Sequence, residues 1–594
     1  MHMKKLLSGN EALALGAYHA GIGVATAYPG TPSTEILEHL ARFKDIYAEW
    51  STNEKVAMEV GLGASYAGAR TLVSMKHVGL NVASDPFMAA SITGVNAGLV
   101  VVTADDPGMH SSQNEQDNRH YARLAKVPLL EPSDSQEAYN VMSYAFDISE
   151  EFDTPVLLRT TTRVSHSNSV VDVTGTRESP ALSKGFRRDQ KKYVMLPAHA
   201  RQRHPLVEER IKKLAYYAET FHMNHIIEGD KKLGIVTSGV AFQYAREVFP
   251  QASFLKLTFT FPLPEGLIRR FAGQVERLVV IEELDPILED SIRAMGISVT
   301  GKEAFPITGE LNPDVIEMAA RRIGLLPAAS NPKPASKPPA LPRRPPLLCP
   351  GCPHAGIFFV LSGLGQRSHL PGKPAAREPK LVITGDIGCY TVGANPPLGA
   401  MDTCACMGAS IGQALGMEKA GVKDPVIAVI GDSTFLHSGI TGLVDAVYNK
   451  GKITVIILDN RTTAMTGHQE HPGTGITAQG QETIAIDLEK LVKGLGVGDI
   501  KVIDAFDIKA LREGVKSSIA SDDLSVVIVR GACAVRSKKR GTPLSVDAAL
   551  CNACGLCLLT GCPAIRNEGV IAIDAALCTG CTICRQVCPR RAII

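Results

Sequence analysis

The sequence has 594 residues, of which 45% are hydrophobic and 21% are charged, and its formal net charge is +2. A chain of this length exceeds what one hydrophobic core supports, so we expect several domains. The small net charge lacks the strong positive field of a typical nucleic-acid-binding protein, and no apolar run is long enough to span a membrane, so neither nucleic acid nor a membrane is an expected partner.

The N-terminal residues and the cysteines together predict a cytoplasmic protein. Lys4 and Lys5 precede a few apolar residues, but Gly and polar residues interrupt these too soon for a signal peptide. Eight of the 14 cysteines lie between residues 551 and 588, most of them at Cys-x-x-Cys spacing. Without an export signal, this spacing favours metal ligands in a reducing compartment over disulfides.

Residues 1–165 alternate Gly-rich turns with short apolar runs such as AGLVVVTADDPG, which is the pattern of a parallel α/β domain. The run YPGTPSTEI places Thr31 in a turn between two prolines. The stretch TNEKVAMEVGLGASYAGAR has helical composition and contains Glu54 and Glu59. Taken singly, each glutamate is more typical of a solvated helix than of an active site.

Three further segments lead to the middle of the chain. Residues 166–230 are rich in charge, as in RRDQKK, and predict a connector with some surface helix. Residues 231–326 predict a second α/β unit with strands in KLGIVTSG and RLVVIEELDP. Residues 327–346 contain eight prolines, which favour an extended linker and mark a domain boundary.

Residues 347–537 predict a third α/β unit whose apolar strands end in polar residues, where such sheets place their sites. The run PVIAVIGDSTF reaches Gly431 and Asp432, and a second strand returns to Asp459 and Asn460. This arrangement resembles the thiamine diphosphate motif, Gly-Asp-Gly followed about thirty residues later by Asn-Asn. Ser433 and Asp459 depart from it. An ordinary β-α-β crossover with polar strand ends is the alternative.

The motif has a direct physical purpose, because a bound diphosphate needs a divalent cation held by hard oxygen ligands. By the resemblance, Asp432 and Asn460 provide side-chain oxygens to Mg²⁺, and Thr462 provides a main-chain carbonyl. The same resemblance implies that Gly431 and Ser433 contact the cofactor. Neither departure from the motif removes a predicted ligand.

Residues 540–594 contain two runs of four cysteines, each ending in Cys-Pro. This is the pattern of bacterial ferredoxins, in which three cysteines of one run and the last of the other hold each [4Fe-4S] cluster. The first run has four residues before its last cysteine in place of the usual three. Two zinc sites are the less favoured alternative. The predicted ligands are Cys551, Cys554, Cys557, Cys562, Cys578, Cys581, Cys584 and Cys588.

The combination of YPGTPSTEI, GDIGCY and a ferredoxin-type tail resembles the 2-oxoacid:ferredoxin oxidoreductases. Within that family, DDPGMHSSQNEQDNR, CPGCPH, DTCACMGASIG and NRTTAMTGHQEHPG resemble most closely the alpha subunits that act on aryl pyruvates. The resemblance implies an α/β fold with several parallel-sheet domains of thiamine diphosphate-enzyme type and a small α+β two-cluster ferredoxin-like domain. It identifies 1–165 as the pyrimidine-binding domain, 231–326 as a transketolase C-terminal-like domain and 347–537 as the diphosphate-binding domain.

The same resemblance implies the roles of two residues in the first domain. Thiamine enzymes need a carboxyl group at N1′ of the aminopyrimidine, and Glu54 has the spacing of that glutamate, fourteen residues before Gly68. Glu59 is the second candidate. Thr31 resembles the threonine that meets the substrate carboxylate, although a turn residue is an equally good interpretation.

A third [4Fe-4S] cluster is implied beside the cofactor. The positions that match the family's ligands are Cys349, Cys352, Cys389 and Cys533. Cys404 and Cys406 compete with Cys533, since nothing local marks Cys533 as a ligand. The alternative for Cys349 and Cys352 is a tight turn with two buried thiols.

The expected reaction converts an aryl pyruvate such as indolepyruvate and coenzyme A into an aryl acetyl-CoA and CO₂, while two ferredoxins are reduced. A smaller beta subunit and an α₂β₂ assembly are expected partners. Three alternatives stay open: an oxidoreductase for pyruvate or another 2-oxoacid, a non-redox thiamine-dependent lyase or synthase with structural clusters, and an electron-transfer protein with vestigial domains. His77, His437 and His468 are more typical of structural histidines than of proton donors.

Overall fold

The computed structural model describes residues 3–177, 185–327, 345–365, 381–567 and 569–594. The chain forms two compact units, Met1–Pro338 and Pro339–Ile594. Most of the predicted proline-rich linker, 327–346, lies outside the described residues. None of the described helices is both long enough and apolar enough to cross a membrane.

The first unit contains thirteen described strands. They are β1 (Met3–Ser8), β2 (Val24–Ala27), β3 (Tyr47–Trp50), β4 (Thr71–Lys76), β5 (Leu99–Asp105), β6 (Leu129–Leu130), β7 (Val156–Thr161), β8 (Asn168–Val173), β9 (His225–Ile227), β10 (Asp230–Ser238), β11 (Ala252–Leu257), β12 (Phe259–Phe261) and β13 (Arg277–Ile281).

Fourteen described helices accompany these strands. They are α1 (Gly9–His19), α2 (Thr34–Leu40), α3 (Glu54–Tyr66), α4 (His77–Val82), α5 (Ser84–Thr93), α6 (Arg119–Ala125), α7 (Ser135–Glu151), α8 (Thr162–His166), α9 (Gln190–Tyr193), α10 (Pro197–Ala218), α11 (Ala241–Val248), α12 (Glu265–Ala272), α13 (Ile287–Ala294) and α14 (Pro313–Arg322).

The main sheet of the first unit has seven strands in the order β12-β6-β7-β5-β4-β2-β3. Its strands are parallel except for β12, which pairs antiparallel with β6. Alternate residues of β5 enter different cores, since Val100 packs on the side of α1 and α7 and Val101 on the side of α3 and α5. Helices therefore cover both faces, which explains the almost continuous apolar character of β5.

A second sheet follows in the order β13-β10-β11-β9, with β9 antiparallel. The predicted strands KLGIVTSG and RLVVIEELDP correspond to β10 and β13. Within the predicted connector, β8 pairs with β1, and α10 buries Leu214 and Ala218 in the core of the main sheet. Residues from beyond 165 thus contribute to the first core.

The second unit contains eight described strands and eight α-helices. The strands are β14 (Val382–Gly385), β15 (Thr403–Cys404), β16 (Val426–Gly431), β17 (Thr454–Asp459), β18 (Asp499–Asp504), β19 (Ser525–Arg530), β20 (Ile565–Asn567) and β21 (Ile571–Ile573). The helices are α15 (His354–Leu364), α16 (Ala409–Lys419), α17 (Asp432–Thr434), α18 (Ile440–Tyr448), α19 (Leu488–Gly494), α20 (Ile508–Ile519), α21 (Ala534–Ser537) and α22 (Ile583–Val587).

Six of these strands form one parallel sheet in the order β15-β14-β16-β17-β19-β18. Ile456 and Ile457 of β17 point into cores on opposite faces, as expected for a central strand. The chain then forms the small C-terminal region, in which β20 and β21 pair antiparallel and a 3₁₀ helix spans Leu556–Thr560. This is the α/β architecture with a small appended region that the sequence predicts.

Candidate functional site

A buried acid, Glu54, follows β3 in the first unit. Glu54 is the first residue of α3, and Asn53 caps this helix by accepting a hydrogen bond from the Val56 nitrogen at 2.9 Å. The buried side chain of Glu54 packs closely against Gly79. A Cβ atom added to Gly79 would lie 2.7 Å from Glu54 Oε1. Capping and packing together hold Glu54 at the carboxyl edge of the main sheet.

The second candidate glutamate has a different environment. Glu59 lies in the same helix but is exposed and forms an ion pair with Lys55, one turn earlier. An exposed pair of this kind contributes little to stability and leaves the carboxylate in water. Of the two, Glu54 has the surroundings of a functional acid.

Thr31 lies at the neighbouring strand end, in the turn after β2. Its carbonyl oxygen accepts a hydrogen bond from Ser111 Oγ at 3.3 Å, and the Ser111 carbonyl accepts another from Lys76 Nζ at 2.6 Å. Lys76 is the last residue of β4 and is only 8% exposed. Lys76 was not predicted from the sequence, although a charged residue at the end of the apolar run TLVSM is a signal that could have identified it.

Asp432 and Asn460, the two predicted side-chain ligands of Mg²⁺, follow β16 and β17, which are adjacent and parallel. Asp432 is buried, and its two oxygens accept hydrogen bonds from the main-chain nitrogens of Ser433 and Arg461, each at 2.8 Å. Asn460 Oδ1 accepts one from the Thr462 nitrogen at 3.0 Å. The Asp432 carboxylate therefore links the two strand ends, which brings the predicted ligands to one edge.

Two buried carboxylates, Asp432 and Asp459, lie at this edge, and arginines partly balance their charge. Asp459 is buried, and burial together with the nearby charge of Asp432 raises its pKa, although it contacts Arg530 Nε at 2.8 Å and Arg461 Nε at 3.1 Å. His471 Nε2 lies 3.3 Å from Asp432 Oδ2. Two neighbouring carboxylates with buried hard oxygens favour a cation, so these residues fit the predicted magnesium ion.

The remaining residues of the motif shape the same edge. Thr462 is buried, and its hydroxyl accepts a hydrogen bond from Arg536 Nη1 at 3.0 Å. Ser433 Oγ lies 2.9 Å from the hydroxyl of Thr463. A Cβ atom on Gly431 would lie 2.6 Å from the Tyr390 ring, so glycine is required where this ring packs on the strand end.

The C-terminal cysteines collect in two cavities that combine the two runs. The first cavity is lined by three cysteines of the first run and the last of the second: Cys551, Cys554, Cys557 and Cys588. The second is lined by Cys562 from the first run, by Cys581 and Cys584 from the second, and also by Cys349. Burial raises the pKa of Cys562, and the nearby thiols of Cys581 and Cys578 raise it further, so Cys578 also lies close to this cavity. The two sets cross over as the ferredoxin pattern predicts.

The extra residue of the first run is accommodated locally. The chain from Leu556 to Thr560 forms a 3₁₀ helix, and Gly561 ends it with φ of +67°, a conformation that favours glycine.

Among the described residues, no three His, Cys, Asp or Glu side chains are arranged to hold one metal ion.

Four more cysteines form a third group beside β14 and β19. Burial raises the pKa of Cys352, and the neighbouring thiols of Cys349, Cys389 and Cys533 raise it further. Burial and the thiols of Cys349 and Cys533 likewise raise the pKa of Cys389 to about 11. The structure thus brings Cys533, 144 residues from Cys389 in sequence, to the Cys-x-x-Cys pair.

The competing cysteines lie elsewhere in the second unit. Cys404 and Cys406 are exposed, and Cys404 Sγ lies 3.5 Å from the main-chain oxygen of Asp386. Burial, followed by the charge of Asp386, raises the pKa of Cys404. The thiols with the largest influence on the pKa of Cys352 are those of Cys349, Cys389 and Cys533, so the structure places Cys533 near the Cys-x-x-Cys pair and leaves its role as a ligand a prediction.

The third cysteine group and the cation edge share direct contacts. The main-chain nitrogen of Cys533 donates a hydrogen bond to the carbonyl oxygen of Asn460 at 3.2 Å. His354, which follows Cys352 by two residues, is buried, and its Nε2 lies 3.4 Å from Asn460 Nδ2. Burial lowers the pKa of His354 to about 4, which makes it a neutral hydrogen-bonding group. Sequence reasoning assigned no role to this histidine, although it ends the quoted motif CPGCPH.

A further buried acid, Asp386 of GDIGCY, was also not singled out. Its carboxylate accepts hydrogen bonds from the main-chain nitrogens of Gly408, at 2.8 Å, and Ser410, at 3.1 Å. Burial raises its pKa in spite of these bonds. Asp386 therefore ties the loop before Cys389 to the run DTCACMGAS.

The three histidines named from the sequence occupy ordinary structural positions. His77 is buried, and its Nε2 lies 3.1 Å from Asn114 Oδ1. His437 Nδ1 lies 2.6 Å from Ser438 Oγ. His468 is half-buried, and its main-chain nitrogen donates to the Thr463 carbonyl at 3.1 Å.

Family models match three parts of the chain. Residues 15–231 match the thiamine diphosphate-binding domain of pyruvate flavodoxin/ferredoxin oxidoreductases. Residues 386–529 match the C-terminal thiamine pyrophosphate-binding domain of thiamine pyrophosphate enzymes, and residues 571–594 match a 4Fe-4S binding domain.

Known proteins resemble the chain over nearly its whole length. Indolepyruvate oxidoreductase subunit IorA of Methanothermobacter thermautotrophicus is 43% identical, covering 99% of this chain and 97% of that protein. The IorA subunit of Archaeoglobus fulgidus is 41% identical over 99% of this chain and 97% of its own length. The 2-oxoglutarate synthase subunit KorA of the same organism is 26% identical and covers 47% of this chain and 88% of its own length.

Proposed function

Because the chain belongs to the family of IorA subunits of indolepyruvate oxidoreductases, we propose that it oxidises indolepyruvate and related aryl pyruvates. The 2-oxoacid and coenzyme A yield an aryl acetyl-CoA, CO₂ and a proton, and two electrons pass through [4Fe-4S] clusters to two ferredoxins. The observation that carries the proposal is the contact between Cys533 and Asn460. It joins a group of four cysteines to the strand end proposed to hold the cofactor's cation.

The residues of the second unit fit a diphosphate held through Mg²⁺. Asp432 and Asn460 offer buried oxygen ligands, Thr462 offers its main-chain carbonyl, and Gly431 and Ser433 line the approach. The carboxylate of Asp459 adds negative charge that favours the cation. Thiamine diphosphate, when bound, supplies a carbanionic nucleophile and an electron sink.

Two residues of the first unit are proposed to act on the cofactor and the substrate. Glu54, a buried acid, holds a proton at N1′ of the aminopyrimidine, where a carboxyl group promotes the reactive tautomer. Thr31, half-exposed in the turn after β2, meets the carboxylate of the 2-oxoacid. These assignments separate proton handling from substrate positioning.

Three clusters are proposed, one for each cysteine group. Cys349 belongs to the group beside Asn460 and also lines the cavity of Cys562, Cys581 and Cys584. A Cβ atom on Gly351 would lie 2.1 Å from Thr579 Oγ1, so the Cys-Pro-Gly-Cys turn packs directly against the second cysteine run. This contiguity supports passage of electrons from the group beside Asn460 to the second cavity and then to the first.

Relatives named as subunits imply that the chain works with a partner subunit. We propose a smaller beta subunit, an α₂β₂ assembly and a cytoplasmic location. None of the 14 cysteines forms a disulfide in the described residues, which suits a reducing compartment. The mass of the native complex in solution tests the stoichiometry.

The function is tested anaerobically with the complex of this chain and its partner subunit, supplied with thiamine diphosphate, Mg²⁺ and coenzyme A. Indolepyruvate is expected to bleach the visible absorption of the clusters, whereas pyruvate is expected to do so much more slowly. A faster reaction with pyruvate would show that pyruvate, and not indolepyruvate, is the preferred substrate. A complex that contains clusters and cofactor but is bleached by no 2-oxoacid would refute the oxidoreductase function and favour a non-redox lyase.

A further inference from the structure

Lys76 is a buried cation at the carboxyl edge of the main sheet. Its aliphatic stem fills the space beside Gly30, where an added Cβ atom would lie 2.9 Å from Lys76 Cβ. Its ammonium group donates to the Ser111 carbonyl at 2.6 Å and to Ser111 Oγ at 3.4 Å. Two of its three N–H donors are thereby used, and the third is available.

The charge of Lys76 lacks the close carboxylate that buried cations ordinarily have. In the described part of the chain, no carboxylate lies within ion-pair distance of its nitrogen. By contrast, Arg119 Nη1 contacts Glu282 at 2.6 Å and Arg159 Nε contacts Asp105 at 2.6 Å. The ammonium is therefore poised to accept an anionic partner.

The nearest acid, Asp106, is already engaged. Its carboxylate accepts hydrogen bonds from the Ser111 nitrogen at 2.8 Å, Ser112 Oγ at 2.5 Å and Thr162 Oγ1 at 2.7 Å. Asp106 influences Lys76 only through its field, which opposes the larger effect of burial. Asp106 holds the loop that contains Ser111 and Ser112, but it does not contact the Lys76 ammonium directly.

The position of Lys76 identifies the kind of anion. Ser111 contacts both the Lys76 ammonium and the carbonyl of Thr31, so the lysine lies under the turn proposed to meet the substrate. Gly79, three residues after Lys76, is the surface on which Glu54 packs. Lys76 ends β4, Thr31 lies in the turn after β2, and Glu54 follows β3. These three strands are neighbours in the sheet.

We infer that the Lys76 ammonium binds the carboxylate of the 2-oxoacid substrate, at a subsite completed by the Thr31 turn. The inference rests on the proposed function, since it requires a 2-oxoacid at this edge. A charge-assisted hydrogen bond of this kind holds the carboxylate before CO₂ is released. It therefore acts chiefly on substrate binding, and KM should change more than kcat.

The test compares the wild-type complex with Lys76→Met, Lys76→Arg and the surface control Lys126→Met, whose lysine pairs with Glu208. Lys76→Met is expected to raise KM for indolepyruvate about 10- to 100-fold, the range for losing a hydrogen bond to a charged group, with kcat changed less than about threefold. Lys76→Arg should restore most of the affinity, and the control should match wild type.

A binding measurement separates substrate recognition from a structural role. Indole-3-lactate and its neutral amide, which lack the keto group and do not react, are titrated calorimetrically into each complex. The preference for the acid over the amide is expected to vanish in Lys76→Met while the affinity for the amide is unchanged. Equal weakening of both ligands, or an unchanged KM, would overturn the inference, whereas failure of the wild-type complex to react with any 2-oxoacid would overturn the proposed function instead.

Discussion

The two sheet edges that carry the proposed site residues differ in the buried charge that has no direct partner of opposite sign or lies beside a like charge. After β4, the first unit presents an ammonium, Lys76, bonded only to neutral groups of Ser111. After β16 and β17, the second unit presents two carboxylates, of which Asp432 helps to raise the pKa of Asp459. One edge suits an anion and the other a cation. Parallel sheets of similar architecture thus gain opposite electrostatics from the few residues that end their strands.

The largest effect is expected at the buried acid of the first edge. Glu54→Gln should lower kcat about 100-fold or more, because it removes the ionisable group proposed to hold a proton at the cofactor. Cluster bleaching by indolepyruvate in a stopped-flow instrument measures this loss. Glu59→Gln is the matched control and should stay within about twofold of wild type, since Glu59 is exposed. A fully active Glu54→Gln complex would remove Glu54 from the mechanism.

At the second edge, Asp432→Asn keeps the shape of the side chain but removes its charge. Loss of groups that only support metal ligands costs about 10- to 100-fold in affinity, so loss of a ligand charge should weaken Mg²⁺-dependent binding of thiamine diphosphate by about 100-fold or more. Calorimetry on the apo complex gives the affinity. Asp445→Asn, on the exposed side of α18, should bind normally, and equal affinity in both variants would contradict the cation site.

The pH dependence sharpens the comparison at the anion edge. Burial lowers the pKa of Lys76 to about 8. Its ammonium is charged below that pH and is lost as the pH rises, so kcat/KM should fall above about pH 8, by about tenfold per unit. Asp106 and His77 face Lys76, and both have lowered pKa values, so Asp106 stays charged and His77 neutral throughout this range.

A series of initial rates from pH 6.5 to 9.5 checks this expectation. In Lys76→Arg the fall should disappear from the range, because a guanidinium group stays protonated. A wild-type profile that is flat to pH 9.5 would contradict a role for the ammonium in binding.

The smallest expected effect is a change in the iron content of the complex. Cys533→Ser should lower the iron content from about 12 to about 8 atoms per chain, because each [4Fe-4S] cluster contains four. Cys406→Ser, its control, should keep the full content. Iron analysis and low-temperature electron paramagnetic resonance of the reduced complexes distinguish them. The reverse result would place Cys406 in the third cluster.

Local sequence patterns predicted most of the fold and much of the candidate site. Apolar runs ending in polar residues gave β5, β10, β16 and β17, because buried parallel strands need continuous apolar sequence. The spacing of the C-terminal cysteines predicted their crossing arrangement. Glu54 was preferred over Glu59 on spacing alone, and burial of one and exposure of the other could be seen only in the structure.

The parts that escaped prediction depend on contacts distant in sequence. Nothing near Cys533 marks it, since its relation to Cys349 arises only when β19 returns beside β17. Lys76 has no motif, and its function follows from Ser111, 35 residues away. The pairing of β12 with β6, which adds a strand from residues 231–326 to the first sheet, likewise depends on tertiary packing.

The hydrogen bond from Cys533 to Asn460 joins the third cysteine group directly to the cation edge. If Cys533 holds the proposed third cluster, loss of that cluster would free the segment that braces the Asn460 turn. We expect oxidative loss of that cluster to weaken cofactor binding as well as to lower the iron content. Rebuilding the cluster would then restore the iron content and cofactor binding together, so both properties would depend on this one contact.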